Sequence, residues 1–250
     1  MEQGKDPRLA VLIDADNIPY ANVKEMLEEI AKYGTPTFKR IYGDWTRPTA
    51  TGWKSVLLEH AITPVQQYAY TVGKNATDSA MIIDAMDILY SGRVEGFCIV
   101  SSDSDFTRLA TRLREAGMKV IGIGEKKTPK PFISACEKFI YLEILKPQTD
   151  SAETAKKSKS KGKTTGKAVE EIDRNLIKLI TDSVNDLADE NGWAFLGELG
   201  NLLLKKQPNF DPRNYGYNKM HQLIKSIDKF EVDQRDTGNK NIKLVYVRIR

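Results

Sequence analysis

The sequence predicts an α/β fold, with a mostly parallel sheet covered by helices on both faces, followed by a small winged-helix unit. Within residues 1–146, apolar strand-like runs alternate with amphipathic helical segments, a pattern that implies parallel strands joined by helices. Residues 169–250 show three helical segments and then two alternating strands, which is typical of a winged helix. Residues 147–168 are rich in Lys, Ser, Thr and Gly, so they predict a flexible linker that cannot bury a core.

The first unit contains six predicted strands alternating with five predicted helices. Residues 9–13 form a continuous apolar run, as expected of a strand buried on both faces. In residues 77–90, Ile82, Ala85, Met86 and Leu89 share one face of a helix. In chain order the predicted strands are residues 9–13, 37–42, 62–66, 96–100, 119–123 and 139–142. The predicted helices between them are residues 23–33, 51–60, 77–90, 106–116 and 132–135.

The second unit is shorter and has a different pattern. Residues 172–187 repeat apolar side chains at helical spacing, including Leu176, Ile180 and Val184. Residues 194–200 open a second predicted helix, and residues 220–227 form a third. Residues 230–234 and 243–248 alternate apolar and polar side chains and flank turn residues at 236–239, which predicts a hairpin.

The excess positive charge of the chain lies in the linker. The net charge is +4, and residues 147–168 hold six lysines but only two acidic residues. The lysines are Lys156, Lys157, Lys159, Lys161, Lys163 and Lys167. Such a run serves either solubility or non-specific attraction to phosphates, and composition alone leaves both interpretations open.

Composition also bears on the location of the protein. No run approaches the roughly 18 apolar residues of a membrane helix, and the N-terminus lacks a secretory pattern. The two cysteines, Cys98 and Cys136, lie in apolar surroundings and are expected to be buried thiols rather than a disulfide or metal ligands. A cytoplasmic protein is therefore expected.

Acidic side chains follow two of the predicted strands. Asp14 and Asp16 end the first strand, while Asp103 and Asp105 come after the fourth, where a helix begins. In a doubly wound sheet these two strands are neighbours, so their acidic ends converge. Carboxylates held close together repel unless a cation or a proton intervenes. The pattern therefore predicts a divalent-metal site for phosphoryl transfer, in which Asp78 is a third carboxylate or only a helix-dipole residue.

Residues 8–143 resemble the NYN domain of the PIN-like nuclease superfamily, in its bacterial LabA-like branch. The combination of matching pieces is specific, although each piece is short. The pieces are residues 12–17 (Leu-Ile-Asp-Ala-Asp-Asn), 74–78 (Lys-Asn-Ala-Thr-Asp), 83–87 (Ile-Asp-Ala-Met-Asp) and 101–106 (Ser-Ser-Asp-Ser-Asp-Phe), with Gly-Ile-Gly at 122–124 and Thr128-Pro129.

The resemblance implies a PIN-like three-layer α/β/α sandwich and a ribonuclease site that uses Mg²⁺ or Mn²⁺. It assigns Asp14, Asp78 and Asp103 as catalytic, metal-binding acids, with Asn17 and Asp105 as polar residues beside them. Asp105 would cap the following helix or support the metal ligands.

Two more acidic residues are supporting candidates. Asp84 lies about one and a half turns beyond Asp78 in the same predicted helix and could face the site. Asp44 follows the second strand, and it either enters the acidic cleft or is a turn residue.

Residues that could contact RNA occur in both units. In the first unit, Trp45, Arg47 and Lys74 combine aromatic and cationic side chains suited to unpaired nucleotides. The second unit, residues 169–250, resembles the LOTUS, or OST-type helix-turn-helix, domain through Gly192-Trp193-Ala194 and Tyr215-Gly216-Tyr217, which implies RNA binding and sometimes protein binding. The candidate contacts there are Lys205, Lys206, Arg213, Tyr215, Tyr217 and Lys219, although both tyrosines could instead be core residues.

Together these features predict a metal-dependent ribonuclease to which the winged helix brings RNA. One alternative is a non-catalytic RNA-binding regulator. A second is a phosphatase of the haloacid dehalogenase type, suggested by the Asp14-x-Asp16 spacing, although Ile18 and Pro19 depart from the pattern of that class. A homodimer remains open, and no membrane association is expected.

Overall fold

The computed structural model describes residues 6–46, 52–68, 76–145, 169–236 and 243–250. These residues fall into two compact units, one before and one after the lysine-rich segment. Within the described ranges, no helix combines the length and the apolar character needed to cross a membrane.

The first unit alternates strands and helices as the sequence predicts, and it ends in residues 142–145 after the last strand. In chain order its elements are β1 (Arg8–Asp14), α1 (Val23–Ile30), β2 (Thr35–Gly43), α2 (Trp53–His60), β3 (Thr63–Gln66), α3 (Ala76–Tyr90), β4 (Gly96–Val100), α4 (Thr107–Glu115), β5 (Lys119–Gly124), α5 (Lys130–Ala135) and β6 (Lys138–Tyr141).

The six strands form one parallel sheet in the order β3-β2-β1-β4-β5-β6. The strand order reverses between β1 and β4, which lie side by side with Ile13 opposite Val100. Loops that follow β1 and β4 therefore leave the sheet in opposite directions and open a crevice at its carboxyl edge, where ligands of such folds bind. The predicted α/β class and the predicted adjacency of these strands are confirmed.

Helices cover both faces of the sheet and produce three layers. Helices α3, α4 and α5 pack on the face that carries Ala10 and Leu12, while α1 and α2 pack on the face that carries Leu9 and Val11. Strand β1 is buried on both faces, which accounts for its uninterrupted apolar run. The free cysteines Cys98 and Cys136 are buried in these cores, as expected.

The buried face of α3 differs from the predicted one. Met81, Ala85 and Ile88 are the deeply buried residues, whereas Ile82 and Met86 are only partly buried. The helix is apolar around most of its circumference, so hydrophobic spacing does not identify the inward face. The shift matters for the site because Asp78 precedes Met81 by three residues and so shares the inward face.

The second unit contains three helices and a three-stranded antiparallel sheet. Its elements are α6 (Arg174–Leu187), β7 (Ala194–Phe195), α7 (Leu196–Lys206), α8 (Met220–Lys225), β8 (Phe230–Asp236) and β9 (Lys243–Ile249). The sheet order is β7-β9-β8, and one face packs on the helices around Leu199, Leu203, Phe230 and Val247. The helices and the hairpin agree with the prediction, but residues 194–195 form a strand rather than the start of a helix.

Candidate metal centre

Three carboxylates converge at the carboxyl edge of the parallel sheet. Asp78 lies in the first turn of α3, and Asp103 and Asp105 lie in the segment between β4 and α4. Each offers an oxygen within 4.8 Å of the oxygens of the other two. Asp78 and Asp103 are partly buried and Asp105 is exposed, so the group faces the crevice and a small ligand can reach it.

The segment after β4 folds locally so that its two aspartates play different parts. Oδ1 of Asp103 accepts a hydrogen bond from the backbone N–H of Asp105 at 2.9 Å and caps a short 3₁₀ turn, Ser104–Phe106. Asp103 is therefore the cap of this turn, while Phe106 occupies the N-cap position of α4. The turn directs the carboxylate of Asp105 toward those of Asp78 and Asp103. The sequence placed Asp105 beside the metal-binding acids but did not show that its carboxylate joins them.

Asp14 lies at the end of β1 beside this group, and only 1% of it is exposed. Its Oδ2 accepts hydrogen bonds from Asn17 Nδ2 at 2.6 Å and from Ser101 Oγ at 2.8 Å, while its Oδ1 accepts one from the backbone N–H of Asp16 at 3.1 Å. Asp14 thus lies beside the group but is not one of its three members, so its predicted role as a direct metal ligand stays a prediction. Asn17 acts by holding Asp14.

Ser101 connects the two central strands under the site. Its buried hydroxyl donates to Asp14 and accepts from the backbone N–H of Asp103 at 3.1 Å. Gly124 at the end of β5 lies so close that a Cβ there would approach the carbonyl oxygen of Ser101 to 2.5 Å. Ser102 is also satisfied within the chain, because its hydroxyl accepts from the backbone N–H of Glu125 at 2.9 Å. These hydroxyls organise the turn after β4.

Burial and mutual repulsion raise the pKa values of two of these acids. The pKa of Asp78 rises to about 6, first because the side chain is partly removed from water and then because of the negative charges of Asp14, Asp103 and Asp105. Burial also raises the pKa of Asp14, although its hydrogen bonds from Ser101 and Asn17 act in the opposite direction. The crevice is therefore a region of accumulated negative charge, in which the ionised form of Asp78 is disfavoured.

Replacing Asp78 with asparagine is expected to raise the melting temperature of the first unit in EDTA at neutral pH. The pKa of Asp78 is raised in the folded state, so the folded protein loses stability as the pH rises from about 4 to about 6. Asparagine carries no charge and avoids this loss. The gain should be present at about pH 8 and absent near pH 4 in calorimetric melts. A variant that melts below the wild type at about pH 8 would contradict the expectation.

The two supporting acids have partners outside the carboxylate group. Asp84 pairs with Arg40 and accepts a hydrogen bond from the hydroxyl of Tyr42, whose pKa is raised by burial and by this contact. Asp44 accepts from Thr46 Oγ1 at 2.6 Å and from Gln66 Nε2 at 3.0 Å, which favours the turn interpretation. Asp84 therefore contacts β2, and Asp44 contacts the turn after β2 and the end of β3.

The first-unit candidates for RNA contact are only partly described. Trp45 is half-buried against the core, and its indole N–H donates to the carbonyl oxygen of Val65 at 3.0 Å. A tryptophan fixed in this way serves packing and leaves little of its ring for stacking. Arg47 and Lys74 lie outside the described residues.

Most second-unit candidates are engaged within their own unit. Lys206 pairs with Asp186 at 2.6 Å, Arg213 makes a two-point contact with Asp211, and Tyr215 is 9% exposed in the core. Tyr217 is half-buried beside the same core. Lys205 and Lys219 are exposed. The core interpretation of Tyr215 is thus supported, and the two exposed lysines remain available for phosphate.

Comparison with known families gives a match for each unit. A family model described as the NYN domain matches residues 8–143, more than half of the chain. A second model, described as the OST-HTH/LOTUS domain, matches residues 167–242. No curated protein matches the chain.

Three solved structures are also similar to parts of the chain. A protein of unknown function from Vibrio parahaemolyticus is 18% identical with a TM-score of 0.48, over 56% of this chain and 96% of that one. An uncharacterised protein from Nitrosomonas europaea is 31% identical with a TM-score of 0.30, over 38% of this chain and 90% of that one. A protein segment from Chromobacterium violaceum is 31% identical with a TM-score of 0.26, over 31% of this chain and 83% of that one.

Proposed function

Since the chain belongs to the NYN domain family of the PIN-like nuclease superfamily, we propose that it is a ribonuclease that depends on Mg²⁺ or Mn²⁺. The observation that carries the proposal is the convergence of Asp78, Asp103 and Asp105 at the point where the strand order of the sheet reverses. A family match alone would leave the activity of this particular chain open. The convergence supplies a place where a phosphodiester bond could react.

The residues present suit a hard divalent cation. The group offers only carboxylate oxygens, which Mg²⁺ and Mn²⁺ accept, and no cysteine or histidine belongs to it. A cation also relieves the repulsion that raises the pKa of Asp78. When bound, the ion supplies an acidified water and polarises the scissile phosphate.

The residues of the chain then have distinct parts. Asp78, Asp103 and Asp105 would hold the ion, while Asp14 adds negative charge beside them and is fixed by Asn17 and Ser101. Because β1 and β4 pair directly beneath the site, these side chains are held in position before substrate arrives. This preorganisation favours the transition state over the flexible RNA substrate.

The second unit and the linker supply RNA in this proposal. The OST-HTH/LOTUS match supports RNA binding by residues 167–242, and Lys205 and Lys219 are exposed there. The six linker lysines add a charge that attracts any phosphate backbone. Attachment to the same chain raises the concentration of bound RNA around the first unit without further contacts. Arg47 and Lys74 remain candidates for contacts near the cleavage site.

A non-catalytic RNA-binding regulator is the second candidate. The hydrogen bonding of Asp14 favours it, because both oxygens of this buried carboxylate already accept hydrogen bonds within the chain. Such an acid could be a structural anchor in a crevice that binds an ion without performing chemistry.

Metal-dependent cleavage separates the two candidates. Purified protein is expected to cleave end-labelled single-stranded RNA with Mg²⁺ or Mn²⁺, and EDTA should abolish the cleavage because only carboxylates would otherwise face the phosphate. Restoring the metal after EDTA should restore the rate, which rules out irreversible unfolding. Cleavage that persists in EDTA, or a preparation that binds RNA tightly and never cleaves it with either metal, would refute the proposal.

A further inference from the structure

The outer face of the sheet in the second unit carries a layer of aromatic rings and guanidinium groups. Strand pairing places Arg248 opposite Glu231, Tyr246 opposite Asp233, and Phe195 beside Tyr246. Trp193 precedes β7 by one residue and so falls on the same face. We call this surface the guanidinium platform, and its members are Trp193, Tyr246, Arg235 and Arg248.

The members of the platform are stacked on one another. The guanidinium carbon of Arg235 lies 4.2 Å from the ring centre of Tyr246 and 5.2 Å from that of Trp193. The guanidinium carbon of Arg248 lies 4.6 Å from the ring centre of Trp193. Phe195 extends the layer, with its ring centre 5.7 Å from that of Tyr246. Cation–π contacts of this kind hold a guanidinium plane parallel to a surface.

Carboxylates on β8 accept hydrogen bonds from the guanidinium group of each arginine and hold it in place. Asp233 Oδ2 accepts from Nε of Arg235 at 3.0 Å, and Glu231 Oε2 accepts from Nη2 of Arg248 at 2.6 Å. Among the described residues, Arg235 donates a hydrogen bond only through Nε, which leaves its terminal nitrogens for acceptors of a ligand. Both arginine side chains remain 41% exposed, so their outer planes are open to solvent.

The platform is not needed to build the core of the unit. The opposite face of the sheet packs on the helices through Phe230, Val247 and Ala194. The guanidinium carbons of two arginines instead lie over two aromatic rings on the solvent side, so this face presents planar groups rather than core-forming side chains. Unpaired nucleic-acid bases stack both on aromatic rings and on guanidinium planes.

The charges on this face favour bases over a protein partner. Four charged side chains occupy it as two ion pairs, and the carboxylates of these pairs would lose their hydration if a protein partner covered the face. The pairs are neutral as a whole, so the face attracts phosphates only weakly. Stacking, with hydrogen bonds from guanidinium nitrogens to base edges, is the interaction that this arrangement offers.

We propose that the guanidinium platform is a stacking surface for the unpaired bases of single-stranded RNA. The inference rests on the proposed function only in taking RNA as the ligand. The guanidinium platform is a different surface from the one that carries the candidate lysines and tyrosines of the second unit. Binding here depends on the planar shape of arginine, so replacing arginine with lysine removes the interaction while keeping the charge.

The test measures binding of the full chain in EDTA to a fluorescein-labelled single-stranded RNA of about 12 nucleotides by fluorescence anisotropy. The double variant Arg235→Lys/Arg248→Lys is expected to bind about tenfold more weakly. The slope of affinity against salt concentration should not change, because the charge is the same. Tyr246→Leu should weaken binding similarly. Arg174→Lys, at an exposed arginine of α6, is the matched control and should bind as the wild type does.

Melting curves of each variant establish that the second unit stays folded. Wild-type affinity in the folded double variant would overturn the inference, as would a wild type that does not bind the RNA. The affinity of each variant for a duplex of the same sequence is measured as well. If the variants lose as much affinity for the duplex as for the single strand, the inference is overturned, because paired bases offer no free faces. Since no cleavage is measured in EDTA, the platform can be established even if the chain proves not to be a nuclease.

Discussion

Asp103→Asn is expected to slow metal-dependent RNA cleavage about a thousandfold while leaving the first unit folded. Asparagine keeps an oxygen that can accept the hydrogen bond from the backbone N–H of Asp105, so the cap of the turn survives. What the variant loses is one negative charge from the group of three that is proposed to hold a doubly charged ion. The effect is therefore on catalysis rather than on folding.

The measurement is the initial rate of cleavage of a labelled single strand at saturating Mn²⁺, with RNA affinity measured separately in EDTA. Asp87→Asn is the matched control, because it removes the same charge from an exposed position on α3. The control should cleave at the rate of the wild type. An Asp103→Asn protein that is folded and cleaves normally would exclude the carboxylate group as the reaction site.

Ser101→Ala is expected to destabilise the first unit by about 2–3 kcal/mol. The buried hydroxyl serves both Asp14 and the backbone N–H of Asp103, and alanine leaves a carboxylate and an amide without that partner. The pKa of Asp14 should rise further, because the hydrogen bond from Ser101 is a contact that lowers it. The loss of stability should therefore be largest where Asp14 is ionised and should shrink as the pH falls.

Hydrogen exchange of the amides in β1 and β4 measures the stability of the first unit without interference from the second. Ser102→Ala is the comparison, because that hydroxyl accepts one backbone hydrogen bond and should cost about 1 kcal/mol. Equal protection in the two variants would show that Ser101 does not couple the strands through Asp14.

The position of the candidate site could be predicted from the sequence. Runs of apolar residues identify β1 and β4, and the alternation of strands and helices implies a parallel sheet in which they are neighbours. Asp14 and Asp103 then lie at the same edge of the sheet, because Asp14 ends β1 and Asp103 follows the end of β4 by three residues. The structure confirms that β1 pairs with β4. This prediction requires only the order of the strands and helices along the chain.

The roles of Asp103 and Asp105 could not be separated in the same way. Either aspartate has the right side chain for a helix cap, and the choice depends on the backbone angles of the turn. The inward face of α3 was hidden for a different reason, since an apolar helix gives no contrast between its faces.

The guanidinium platform could not be predicted from any pattern in the sequence. Trp193 and Arg248 are 55 residues apart and meet only because the two-residue strand β7 pairs with β9. A strand that short has no periodicity to detect. Its register also depends on the pairing of β9, so the contact between Trp193 and Arg248 follows from the folded sheet and not from either segment alone.

The bond between Ser101 and Asp14 joins positions that are 87 residues apart. During translation, a growing chain that has emerged only as far as α3 already carries Asp14 and Asp78 but has neither Asp103 nor Asp105. Contacts between such distant positions form late, after the intervening segments have been synthesised and ordered. A ribosome-bound fragment therefore cannot assemble the complete acidic group, and any activity of this centre begins only after β4 has docked beside β1.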